Sequence, residues 1–106
     1  MITIEDFFDV QEPVKWGNPV EKEIKRRIKL SIAAYSYEFL DVSIISDAEF
    51  DKMSLEVDIS VDTGNKLMDN FFKNHFDPST GQWIRKHPQL DLIDKLYKLY
   101  YEDKNA

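Results

Sequence analysis

The chain contains no cysteine among its 106 residues, which removes thiol catalysis, thiolate metal sites and any disulfide framework. Only three glycines are present, too few for a glycine-rich phosphate-binding loop. Basic residues are in deficit. Against 20 Asp and Glu stand 14 Lys and Arg, a net charge of −6, and broad binding to nucleic acid or anionic membranes needs the opposite balance. No apolar run approaches the ~18 residues of a membrane span, and Met1-Ile2-Thr3-Ile4-Glu5-Asp6 lacks the basic opening of a signal peptide. These absences predict a cytoplasmic protein without membrane association and with little direct affinity for nucleic acid. What the chain does have is apolar and aromatic material, 42% and 13% of residues, enough for one modest core in a single domain spanning 1–106.

Periodicity and capping residues predict an all-α fold, a small bundle of about four helices. Residues 1–18 read as an irregular arm, punctuated by Pro13 and Gly17-Asn18-Pro19, whose Phe7, Phe8, Val10 and Trp16 suit docking on the body. Asn18 as N-cap, Pro19 at the first helical position and Glu21 and Glu23 at the positive dipole end predict a helix over 19–40. Its expected buried stripe is Val20, Ile24, Ile28, Ile32, Tyr35 and Phe39. The basic cluster from Lys22 to Lys29 reads as a solvated face, with Glu21–Lys25 and Glu23–Arg27 pairs at i, i+4.

After a β-branched loop at 41–45, Ser46-Asp47-Ala48-Glu49 forms a capping box that opens a second helix, with Phe50, Met53 and Val57 on its inner side. The segment 58–64 weakens that helix, and Ile59-Ser60-Val61 reads either as irregular chain or as a brief strand. A third helix is expected over 65–76, with Leu67, Met68, Phe71 and Phe72 on one face. The turn Asp77-Pro78-Ser79-Thr80-Gly81 follows, and Trp83 and Ile84 anchor it to the core. A last helix over 88–102 carries Leu92, Ile93, Leu96, Leu99 and Tyr100, with Tyr101 expected at the surface and 103–106 as a frayed tail. His75 and His87 lie in different elements and read as surface or capping groups rather than zinc ligands. Asp47, Glu49 and Asp51 read as dipole-stabilising acids, as part of a nucleotide site or as a metal site. The run lacks the glycine of a calcium loop.

The string Tyr37-Glu38-Phe39-Leu40-Asp41, followed by Ile45-Ser46-Asp47-Ala48-Glu49-Phe50-Asp51, resembles the N-terminal helical subdomain of bacterial NAD-dependent DNA ligases. The resemblance is carried mainly by residues 35–53. In that family a tyrosine-rich helix, a short loop and an Ile-Ser-Asp-Ala-Glu-Tyr-Asp helix start grip the nicotinamide mononucleotide half of NAD. Two aromatics flank the nicotinamide, a histidine contacts it, and two aspartates hold the ribose–phosphate end or its waters. The resemblance implies that Tyr37 is the first aromatic, Phe50 stands for the second, Asp47 and Asp51 are the aspartates, and Glu38 falls where the family has histidine. Glu38 sets a carboxylate toward a phosphate-bearing ligand, and Phe50 keeps a stacking face without the phenol.

The ligase nucleophile, a lysine in a Lys-x-Asp-Gly setting, does not occur. No other nucleophile–base pair stands out, and 106 residues leave no room for an adenylation domain. The expectation is therefore a noncatalytic protein that is not a DNA ligase on its own. One reading is a small acidic interaction or regulatory protein with a protein partner and no required cofactor, in the manner of phage-type inhibitors that occupy basic surfaces. The other is a binding module for nicotinamide mononucleotide or NAD, acting alone or with an adenylation protein in trans.

Overall fold

A computed structural model describes residues 18–102. The expected N-terminal arm, with Phe7, Phe8, Val10 and Trp16, and the tail from 103 lie outside the described residues. Helix α1 (Pro19–Leu40) starts where the sequence places it: the Asn18 side chain accepts the Glu21 N–H at 2.8 Å, and Pro19 occupies the first position. Helices α2 (Asp47–Glu56), α3 (Lys66–His75) and α4 (Leu90–Tyr97) follow, with a 3₁₀ helix at Gln82–Lys86 and a π-helical turn at Lys98–Glu102. The fold is all-helical. Among the described residues there is no strand, and Ile59-Ser60-Val61 is turn and loop.

Helix α1 is the axis on which the other elements pack, so it buries more than one stripe. Leu30, Ala34, Phe71, Phe72, Trp83 and Ile84 form one cluster, and Ile32, Ile93 and Tyr97 a second. Burying each large side chain of this kind is worth roughly 1.5–3 kcal/mol. The stripe expected from periodicity is therefore corrected at both ends. Val20 and Phe39 are exposed, whereas Leu30, Ala33 and Ala34, which lie off it, are sealed. Phe71 and Phe72 are buried as expected, but Leu67 is exposed. Trp83 sits against Phe72 and Phe76 at ring separations of 5.3 and 5.2 Å. Its indole N–H and the Ser54 hydroxyl are buried without a hydrogen-bond partner among the described residues.

The basic cluster of α1 departs furthest from expectation. Glu23 and Arg27 are not on a solvated face but almost completely buried. Arg27 donates through Nε to Glu23 at 2.8 Å and through Nη1 to Asp69 at 2.9 Å. Its Nη2 reaches the carbonyls of Asp58 at 2.7 Å and Val61 at 3.3 Å, and the guanidinium lies over the Phe72 ring at 5.2 Å. Glu23 also accepts the Asp58 N–H at 3.1 Å. The loop after α2 is thus fastened to α1 through a saturated ionic cluster. Burial raises the Asp69 pKa, but hydrogen bonds from Thr63 and the Arg27 charge outweigh it and leave the carboxyl below its ordinary range.

At the other side of α1, the Tyr35 hydroxyl donates to Asp94 of α4 at 2.6 Å. Burial and that bond push the phenol up to about 12. The last helix is shorter than expected. It begins at Leu90 after His87 Nδ1 accepts the Gln89 N–H at 2.9 Å, and past Tyr97 it loosens into the π-helical turn. Leu92 and Leu99, placed on the buried stripe by periodicity, are exposed. Tyr101, expected at the surface, is half-buried and stacks on Tyr97 at 6.3 Å. The change of helical pitch from Lys98 moves Leu99 and Tyr101 around the axis relative to a continuous 3.6-residue repeat; Leu92 lies before it, on the outer face of the regular helix.

Candidate functional site

The geometry of the site starts at the end of α1. Asp41 adopts a left-handed conformation (φ 56°), and the N–H groups of Asp41 and Val42 both converge on the Ser36 carbonyl. This closes the helix and turns the chain into the loop that leads to α2. Ser46 then caps α2, its hydroxyl accepting the Glu49 N–H at 3.1 Å. Only the serine half of the expected capping box forms. The Glu49 carboxylate lies 4.0 Å from Lys29 Nζ instead.

Between α1, this loop, the start of α2 and the turn at 80–81 lies a cleft of about 310 Å³. Ala33 and Ala34 contribute from α1 and Gly81 from the turn, so short side chains leave the space open. Tyr37 stands on α1, Ile44 and Ile45 on the loop, and Phe50, Asp47 and Asp51 on the first turns of α2. A methyl group added at Gly81 would lie 3.5 Å from Phe50 Cζ and 3.7 Å from Ala34 Cβ, ordinary van der Waals contact, which places Gly81 beside both. Phe50 also packs on the core cluster that contains Ala34.

Four of the five residues singled out from the sequence, Tyr37, Asp47, Phe50 and Asp51, therefore line one cleft. Glu38 does not. Its carboxylate accepts from Arg85 Nε at 3.1 Å, and the Arg85 guanidinium also lies over the Phe39 ring at 5.6 Å. One residue along a helix turns a side chain by about 100°, so Tyr37 and Glu38 serve different neighbours. The carboxylate expected to repel a phosphate is held outside the cleft by a cation of the 3₁₀ helix.

Sequence reasoning missed Ala33, Ala34, Ser43, Ile44, Ile45, Thr80 and Gly81 as lining residues. A signal exists only for the alanines, which interrupt an otherwise bulky helix with two adjacent small side chains. Thr80 and Gly81 are brought in across the fold, and nothing local marks them.

Tyr37 is 57% exposed, so its ring and hydroxyl are accessible. Asp47 and Asp51 are exposed, and neither carboxylate has a hydrogen-bond or ion-pair partner among the described residues. The arrangement can offer aromatic faces, hydroxyl-accepting carboxylates and an apolar floor to a small molecule. Among the described residues no three His, Asp or Glu side chains come together in a way that would hold a metal ion. No helix there is long and apolar enough to cross a membrane. Comparison with protein-family models, curated proteins and solved structures finds no match to this chain.

Proposed function

We propose that this chain is a noncatalytic binding module whose cleft takes the nicotinamide–ribose portion of a nicotinamide nucleotide. The observation that carries the reading is the convergence of Tyr37, Phe50, Asp47 and Asp51 on one cleft. Tyr37 and Phe50 supply the faces on which a planar ring stacks, and the carboxylates accept from ribose hydroxyls. A volume of about 310 Å³ is at the small end of the roughly 300–1,000 Å³ typical of small-molecule sites. It suits one ring and a sugar rather than a dinucleotide. Withdrawal of Glu38 to Arg85 removes one obstacle that the sequence raised against this ligand.

A second reading, a noncatalytic interaction or regulatory protein with a protein partner, draws support from exposed apolar side chains. Leu55 is 76% and Leu67 54% exposed; it is the joining of such side chains into one contiguous patch, rather than single exposed leucines, that marks a partner's footprint.

Thermal unfolding with added nicotinamide mononucleotide and NAD separates the two. Ligand at 100 times its dissociation constant adds about 2.7 kcal/mol of stability, and the double substitution Tyr37→Ala/Asp51→Ala abolishes the shift. A flat titration at millimolar concentration with these ligands and with nicotinamide riboside overturns the nicotinamide reading and leaves the interaction reading, which co-purification of a stoichiometric protein partner tests.

A further inference from the structure

The cleft has a sign. Its lining includes two carboxylates, Asp47 and Asp51, and no Lys, Arg or His. Of the cations on the surrounding elements, Lys29 faces Glu49 at 4.0 Å and Arg85 faces Glu38 at 3.1 Å, while Lys52 of α2 and Lys86 of the 3₁₀ helix are exposed and outside the lining. Asp47 and Asp51 stand four apart on α2, a spacing at which like charges oppose helix formation. The positive end of the α2 dipole, equivalent to about half a charge, offsets only part of two full carboxylate charges. Independently of the carboxylates, the cavity presents two aromatic side chains, Tyr37 and Phe50, from different helices, and aromatic faces attract cations. Walls, floor and rim therefore agree on a flat ligand bearing positive charge.

We infer that the cleft selects a cationic, phosphate-free N-substituted pyridinium, so that nicotinamide riboside is preferred over the mononucleotide. The inference rests on the nicotinamide reading above and narrows it to a ligand class. The riboside carries one positive charge on its ring. A phosphate adds about −1.5 to −2, with no basic group in the lining to receive it. The reduced dihydronicotinamide riboside has the same sugar and a ring of nearly the same outline but no charge, so comparing it with the oxidised riboside isolates the charge.

The test is isothermal titration of the full chain with nicotinamide riboside, nicotinamide mononucleotide and dihydronicotinamide riboside, at low and at physiological salt. The riboside is expected to bind about ten-fold or more tightly than either other ligand at low salt. Its margin over the mononucleotide narrows as salt screens the carboxylates. Asp47→Asn/Asp51→Asn should bring all three ligands to within about two-fold of one another. Both positions are exposed, and the wild-type ligand series decides the matter even where that variant fails to fold. Equal or tighter binding of the mononucleotide, or equal binding of the reduced riboside, overturns charge selection and leaves the nicotinamide reading standing. Absence of binding by all three at millimolar concentration overturns both.

Discussion

The two ends of α1 treat charge in opposite ways. Near its start, Glu23 and Arg27 are removed from water, and Arg27 is bonded to Glu23, Asp69 and two loop carbonyls. Near its end, Asp47 and Asp51 of the neighbouring helix face an open cleft without a partner among the described residues. The first cluster is closed: each charge meets its complement, and the result is a loop fixed in place. The second is incomplete, and its unsatisfied carboxylates and uncovered aromatic ring are what a ligand could complete. Within one small domain, saturation marks the structural end and incompleteness the candidate functional end.

That contrast is open to direct attack. The largest effect belongs to Arg27→Met, which leaves the buried Glu23 carboxylate with only Arg26 and the Asp58 N–H and takes the guanidinium from Asp69. Breaking a buried pair in this way costs about 3–5 kcal/mol, a large share of the ~5–15 kcal/mol by which a domain is usually stable. Urea denaturation should show the midpoint fall accordingly. A loss below about 1 kcal/mol would mean that the ionic cluster does not hold the loop as described.

An intermediate effect lies in acid. Burial brings His87 down to about 4, against an ordinary value of 6.5. The unfolded chain thus takes up a proton before the folded one, and stability falls as pH drops from about 6.5 to about 4. Asp69, whose folded pKa is depressed, is proton-free in the fold where the unfolded chain begins to protonate. Its contribution fades only as pH falls below about 4. His87→Phe should flatten the first limb of a stability–pH curve and leave the second, as followed by thermal unfolding across buffers.

The smallest effect has the opposite sign. Asp51→Asn relieves like-charge repulsion with Asp47 and is expected to stabilise the fold by about 0.2–0.5 kcal/mol, measurable as a small rise in denaturation midpoint. Removing charge at Arg27 would then destabilise while removing it at Asp51 stabilises. Opposite signs at the two positions would separate a charge that the fold uses from one that it does not.

Much of this was legible in the residues, and the limits have physical causes. Asn18-Pro19 and Ser46 marked helix starts because capping is a local transaction between a side chain and an N–H three residues on. Tyr37, Phe50, Asp47 and Asp51 are grouped in the sequence through the resemblance of residues 35–53 to the ligase subdomain, a motif confined to one helix–loop–helix segment. The burial of Glu23 and Arg27 could not be read locally. An i, i+4 pair looks the same in sequence whether solvated or sealed, and here Asp69, 42 positions from Arg27, settles it. The π-helical turn at Lys98–Glu102 shifted Tyr101 inward against a regular repeat. Gly81 enters the site only through the path of the whole chain.

The adjacency of Ala34, Phe50 and Gly81 has an evolutionary consequence. Ala34 and Phe50 belong at once to the floor of the cleft and to the packing beneath it, and Gly81 leaves room beside them for want of a side chain. An alanine at Gly81 is accommodated at ordinary van der Waals distance from both neighbours, whereas a side chain longer than that must take its room from the cleft or from Phe50. In descendants that keep the cleft, position 81 is therefore expected to remain glycine or alanine.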